Sequence, residues 1–234
     1  MDRFRTTRWT VIRSARAKDE PGSEVALATL CESYWYPLYV FVRRSGHDAE
    51  SASDLTQGYF LKLMEKDFLK SVDPASGKFR SFLLASMKHF LANDRRDAAA
   101  LKRGGGVAPL SLDVDDAEAR YAHEAAEEDS PDRAYEKRWA WAVIERAHQR
   151  LRERYRSRDQ ERVYELLAGH LTGVQQEKSH REIADELESS EAAVKMKLSR
   201  LRRQFGTALR EEIADTVDDE AQIDDEVKYL LHAL

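Results

Sequence analysis

The stretch that most constrains this chain runs from Ser179 to Phe205, SHREIADELESSEAAVKMKLSRLRRQF. Ser179 is placed to cap a helix, and Glu182, three residues on, completes a capping box. Ile183, Ala184 and Leu187 supply that helix with an apolar face. Ser190 is a second cap, and Glu191 stands at the positive end of the helix it opens. Val194, Leu198, Leu201 and Phe205 fall at i, i+4, i+7 and i+11, one continuous stripe at helical period. Two capped helices around so tight a turn predict a helix-turn-helix.

The other face of the second helix carries different chemistry. At about 100° per residue, Ala192, Met196, Ser199, Arg200 and Arg203 project away from the stripe, with Lys195 and Lys197 flanking them. Small or adaptable side chains near a helix start can approach base edges, and cations beside them suit phosphates. On an isolated helix the same pattern would be an ordinary solvated basic face. The capped helix before it and the tight turn favour nucleic-acid reading.

A net charge of −5 runs against that reading until it is divided along the chain. Lys78 to Arg103 is strongly basic, whereas Leu112 to Asp132 has Arg120 as its only strong base. Glu191 to Arg210 is basic again, and Glu211 to Leu234 is acidic except for Lys228. Two basic stretches, separated and followed by acidic ones, suit two nucleic-acid surfaces. With 35% charged residues and few glycines or prolines, the chain reads as helix-rich. Cys31 is the only cysteine, which excludes an internal disulfide and fits a reducing compartment. Neither a membrane-length apolar run nor a signal peptide is found, so a cytoplasmic location is expected.

Read in order, the chain is expected to be all-α. Thr7 to Ala17 suggests a short helix with Trp9 and Ile12 for packing. Ser23 to Arg44 is a longer one, bent near Pro37, whose Tyr34, Trp35, Tyr36, Tyr39 and Phe41 read as core. Ser45-Gly46-His47 stops it, and Asp48 starts a helix from Ala49 to Lys66. After turn material from Ser71 to Gly77, Phe79 to Arg96 resumes a helix. Gly104-Gly105-Gly106 and the acidic run through Ser130-Pro131 read as a mobile linker. Trp139, Val143, Ala147 and Leu151 share a later helix face, and Val163, Leu166, Leu167 and Leu171 mark another. The expected layout is a first helical domain over 1–103, a linker over 104–131, a helix-turn-helix domain over 132–210 and an acidic extension over 211–234.

Taken together, the two halves resemble a bacterial RNA polymerase sigma factor of the extracytoplasmic-function type, over about Leu27 to Arg210. Asp54-Leu55-Thr56-Gln57-Gly58-Tyr59-Phe60-Leu61 looks like the family's segment for docking on the polymerase core. Lys78-Phe79-Arg80-Ser81-Phe82-Leu83 is similar to the opening of the helix that reads and melts the promoter −10 element, and His180 to Arg203 is similar to the −35-reading motif. The resemblance implies a transcription initiation factor with core RNA polymerase and promoter DNA as partners. An anti-sigma factor and a Ser/Thr kinase are further candidates. It implies core-docking roles for Asp54, Leu55, Thr56, Gln57, Phe60 and Leu61. Arg80, Lys88, His89, Asn93, Arg95 and Arg96 become −10 candidates, with the loop from Asp67 to Gly77 helping to capture an unstacked base. Lys195, Met196, Ser199 and Arg200 map to −35 base contacts, and Lys197 and Arg203 are better placed for phosphate.

Several residues depart from the family pattern. Gly58 stands where Glu is usual, Thr56 where an aliphatic residue is usual, and His89 where Asn is common. A phosphate on Thr56 would restore negative charge beside Gly58; the other reading leaves Thr56 simply facing solvent. Glu188 replaces the usual turn glycine, which demands a less permissive backbone. Catalysis is not expected: the histidines are scattered, there is no HExxH, cysteine pair or nucleophile motif, and the glycine run lacks a phosphate-binding context. No metal or cofactor is expected. The rival reading is an operator-binding regulator that acts without polymerase. In the extension, Ile223, Val227, Leu230 and Leu234 share a stripe. Its acids can oppose the basic face of the helix-turn-helix, or the stripe can pack on either domain.

Overall fold

Among the described residues every regular element is a helix, so the all-α expectation holds. The computed structural model describes residues 23–64, 78–97, 114–124, 129–172, 178–214, 216–217 and 219–234. The expected helix from Thr7 to Ala17, the loop from Asp67 to Gly77 and the glycine run Gly104–Gly106 lie outside them. The chain divides into two units: residues up to Ala142 together with Ala214–Leu234, and Val143–Ile213.

Helix α1 (Ser23–Arg44) runs through Pro37 and ends where Ser45 donates its amide to Phe41 and Gly46 takes a φ of +96°. A side chain would be strained at that angle, so glycine is the natural stop. Asp48 then accepts the Ser51 amide at 2.8 Å and opens α2 (Ala49–Met64). Helix α3 (Phe79–Asp97) completes the centre of the first unit. Tyr34, Trp35, Leu38 and Tyr39 of α1 are buried with Tyr59, Phe60 and Leu63 of α2 and Phe79, Leu83 and Met87 of α3. Their rings interlock, with Tyr34 edge-on to Phe79 at 5.4 Å and Trp35 stacked on Tyr39 at 5.0 Å. Each fully buried apolar side chain adds about 1.5–3 kcal/mol, so the aromatic density of α1 reads correctly as core.

The acidic segment differs from expectation. Helix α4 (Val114–Glu124) forms inside it and buries Ala117. Glu118 receives Arg43 Nη2 at 2.7 Å and Nε at 3.1 Å, and accepts a hydrogen bond from Tyr39. Burial pushes the Glu118 carboxyl up, but the Arg43 and Tyr39 bonds outweigh it and hold it below the usual range. Arg43 also lies over the Tyr121 ring at 4.6 Å. Glu118 is thus a partner for a cation of α1 and not merely linker charge.

The chain's division into two units falls between Ala142 and Val143. It lies within helix α5 (Pro131–Arg156), whose first half belongs to the first unit. Tyr135 and Trp139 are fully buried there, and the Tyr135 hydroxyl donates to the Arg80 carbonyl at 3.0 Å.

The second unit holds the rest of α5, then α6 (Glu161–Thr172), α7 (His180–Glu186) and most of α8 (Glu191–Ala214). Leu151, Tyr155, Tyr164, Leu167, Ile183, Val194, Leu198 and Leu201 are its core, with Leu166, Leu171, Leu187 and Phe205 packed around them. Glu211 and Glu212 fall in the expected acidic extension, yet they fasten this unit. Glu212, 4% exposed, accepts Arg146 Nε at 3.1 Å and Arg150 Nε at 2.7 Å, and Glu211 accepts Arg154 at 2.5 Å.

After α8 the chain rejoins the first unit as helix α9 (Ile223–Ala233). Leu230 and Glu226 are its buried residues, Ile223 and Val227 are half-buried, and Leu234 is exposed. Of the alternatives left open by the sequence, packing on the first domain is the one observed.

Candidate nucleic-acid interface

The local chemistry of α7 and α8 follows from their caps. Ser179 Oγ accepts the Glu182 amide at 3.3 Å while Glu182 accepts the Ser179 amide at 2.7 Å, a complete capping box. The Ser179 amide, and then the Ser179 hydroxyl that donates to the same Glu182 oxygen at 2.7 Å, hold the Glu182 carboxyl below its usual range. Ser190 caps α8 by accepting the Ala193 amide at 3.2 Å. Between them Glu188 takes a φ of +45°, and the Ser189 amide closes onto the Ala184 carbonyl at 2.9 Å. The turn therefore needs the left-handed conformation that glycine adopts most cheaply, and this chain forms it with glutamate.

With Val194, Leu198 and Leu201 buried, the opposite face of α8 is fixed outward. Lys195, Met196, Ser199, Arg200 and Arg203 are exposed and Lys197 is half-buried at the flank. Met196 is 73% exposed, a large apolar side chain held in water on a cationic face. Behind this face the Tyr155 hydroxyl donates to Gln204 at 2.8 Å. Burial raises the Tyr155 pKa against the lowering influence of Arg200 and Arg158.

In the first unit, α3 presents one exposed stripe: Ser81, Ala85, Lys88, His89, Ala92 and Asn93. Lys88, His89 and Asn93 of the −10 candidates lie on it together. Lys88 pairs with Asp132 at 2.6 Å, both half in water; an exposed pair of this kind is worth only about 0–1 kcal/mol and yields easily to a phosphate. The side chains of Arg95 and Arg96 lie outside the described residues.

Arg80 is a correction. It is 4% exposed and stands on the opposite side of α3, at the helical phase of Leu84, Met87 and Leu91. Its Nε donates to Glu226 at 2.5 Å and its Nη1 to both Glu136 oxygens at 2.8 and 2.7 Å. The guanidinium lies 3.8 Å from the Tyr229 ring centroid and 4.9 Å from that of Trp139. Burial alone would lower its pKa, but Glu226 and Glu136 more than reverse this. Burial likewise pushes the Glu136 carboxyl up, with Arg80 opposing. A guanidinium so enclosed cannot also meet DNA. Sequence reading missed Glu136, Glu226 and Tyr229, although the apolar phase of Arg80 was the available signal.

The docking candidates of α2 divide similarly. Asp54 is exposed, and Leu55, Gln57 and Leu61 are half-exposed. Phe60 and Thr56 are fully buried, so neither offers a contact surface. Thr56 donates its hydroxyl to the Ala52 carbonyl at 2.7 Å. It shares the buried phase of Ala52, Tyr59 and Leu63, which overturns both the solvent-facing reading and the phosphate-accepting one, because a dianion at a fully buried position would be cut off from water.

Among the described residues no cluster of histidine, cysteine or carboxylate side chains could hold a metal ion. No described helix is long and apolar enough to cross a membrane. Comparison with family models matches residues 28–211 to the ECF sigma factor family. The chain belongs to that family. It is thus a sigma factor that initiates transcription with RNA polymerase, a regulator of transcription and not an enzyme, with core polymerase and promoter DNA as its partners. The operator-binding alternative is not favoured. No curated protein and no solved structure matches this sigma factor.

Proposed function

We propose that this sigma factor directs core polymerase to promoters carrying two elements. The −35 element is read by α8, with Lys195, Met196, Ser199 and Arg200 toward base edges and Lys197 and Arg203 toward phosphates. The observation that carries this reading is the outward face of α8: the cations and Met196 project together while Val194, Leu198 and Leu201 lock the opposite side. Charge gives affinity, and the near-N-terminal side chains give sequence preference.

The −10 strand meets the exposed stripe of α3, where Lys88 supplies charge and His89 and Asn93 supply hydrogen bonds. No covalent step is required, since unstacking a base costs only about a few kcal/mol and cations hold the separated strand. Asp54, Leu55, Gln57 and Leu61 form the docking edge for core polymerase, with Thr56 and Phe60 as the packed layer beneath.

In vitro transcription with core polymerase over a random promoter library tests this directly. The expected transcripts come from templates sharing two sequence blocks at a fixed spacing. Tight, selective binding by the chain alone, unchanged by core polymerase, would refute the reading in favour of an operator binder.

A further inference from the structure

Arg80 opens α3 and is held by groups far along the chain. Glu226, 146 residues away, takes its Nε, and Glu136, 56 residues away, takes its Nη1. Tyr229 covers the guanidinium face. Lys78, just before the helix, pairs with the same Glu226. The Arg80 backbone is fixed as well, since its carbonyl accepts the Tyr135 hydroxyl. The first turn of α3 is therefore gripped by α5 and by the last helix of the chain.

From these contacts we infer that α9 is a brace for the −10-facing helix, and that Glu226 and Glu136 are positioning residues for promoter-strand capture. The inference rests on the assignment of Lys88, His89 and Asn93 to that strand. A buried guanidinium that loses an anionic partner must move toward water or take another partner. Arg80 belongs to the first turn, so such a move tilts the helix. Lys88 and Asn93 lie about 12 and 20 Å further along at 1.5 Å per residue, where a small tilt at the start becomes a displacement of the reading groups. Recognition that depends on placement is sensitive to shifts of about 1 Å.

The sign of the effect separates a brace from a mask. Lys88, His89 and Asn93 remain exposed with α9 in place, so the helix does not cover them. A mask over the DNA face would weaken binding when present; a brace strengthens it.

The full chain with core polymerase is tested on two DNA probes drawn from a selected promoter. One is a fork junction with an unpaired −10 strand, and the other is a duplex carrying only the −35 block. Glu226→Gln keeps the shape and removes the charge. It should lower fork-junction affinity about tenfold and leave the −35 duplex within about twofold. Glu226→Asp, which keeps a carboxylate toward Arg80 and Lys78, should retain more of the fork-junction affinity than Glu226→Gln. Unchanged or tighter fork binding by Glu226→Gln overturns the brace, and so does an equal loss on both probes. Asn93→Ala is the control: no loss there removes the strand assignment itself, whereas loss there without loss in Glu226→Gln removes only the brace.

Discussion

Glu188→Gly should stabilise this sigma factor, an unusual direction for a substitution that deletes a side chain. The backbone at Glu188 has a φ of +45°, in the left-handed region. That conformation costs an L-residue about 1–2 kcal/mol. Glycine removes the cost but adds unfolded-state freedom worth about 0.4–1 kcal/mol, leaving a net gain of about 0.5–1 kcal/mol. The second unit spans Val143–Ile213, and for a domain near that size 1 kcal/mol moves Tm by about 4–8 °C, so the expected rise is about 2–8 °C. The assay can separate the units, because all four tryptophans stand at or before Trp141. Far-UV circular dichroism follows both units, while tryptophan fluorescence follows the first. The rise should appear in the dichroism transition more than in the fluorescence one. Glu188→Ala is the decisive comparison: it retains Cβ and should gain nothing. An equal gain from alanine, or no gain from glycine, would refute the backbone argument.

Arg200→Ala should cost about 1–3 kcal/mol of −35 binding and relax sequence preference, whereas Arg203→Ala, which faces phosphate, should weaken all sequences and reduce the salt slope; binding across promoter variants at two salt concentrations reads both. Glu118→Gln should flatten the acid limb of first-unit stability. Its carboxyl is held low in the fold, so its contribution is full above an unfolded pKa of about 4.3 and is lost as pH falls through the lower folded value. Fluorescence of Trp35, stacked on Tyr39 beside that carboxylate, should report it. Thr56→Glu should destabilise the first unit by about 3 kcal/mol or more by burying an unpaired charge; a stable variant that binds core polymerase more tightly would contradict the burial argument.

Local grammar made much of this fold legible. The caps Ser179, Asp48 and Ser190, the stop at Gly46 and the aromatic phase of α1 each depend on neighbours within a turn or two, so sequence spacing suffices. The outward face of α8 was equally readable, because Val194, Leu198 and Leu201 fix its phase. What spacing cannot supply is the partner of a charge. Arg80 sits in a basic stretch and looks solvated until Glu136 and Glu226 are brought to it. Glu118 looks like linker charge until Arg43 is found beside it.

Phase, more than composition, would have exposed those partners. Arg80 continues the buried row of Leu84, Met87 and Leu91 on α3. Glu136 begins the row Ala140, Val143, Ala147 on α5, and Glu226 precedes Leu230 on α9. Glu212 ends the row Leu198, Leu201, Phe205, Ala208 on α8. Each is a charge at a position where its helix turns inward. A charge left alone there would be costly, so an inward-phased charge requires an opposite one on another element. Arg80 calls for carboxylates, and Glu136 and Glu226 are inward-phased carboxylates. Glu212 calls for cations, and Arg146 and Arg150 supply them. Matching such violations by sign turns local periodicity into a long-range constraint, and here it ties the last helix of the chain to the first turn of the helix proposed to hold the −10 strand.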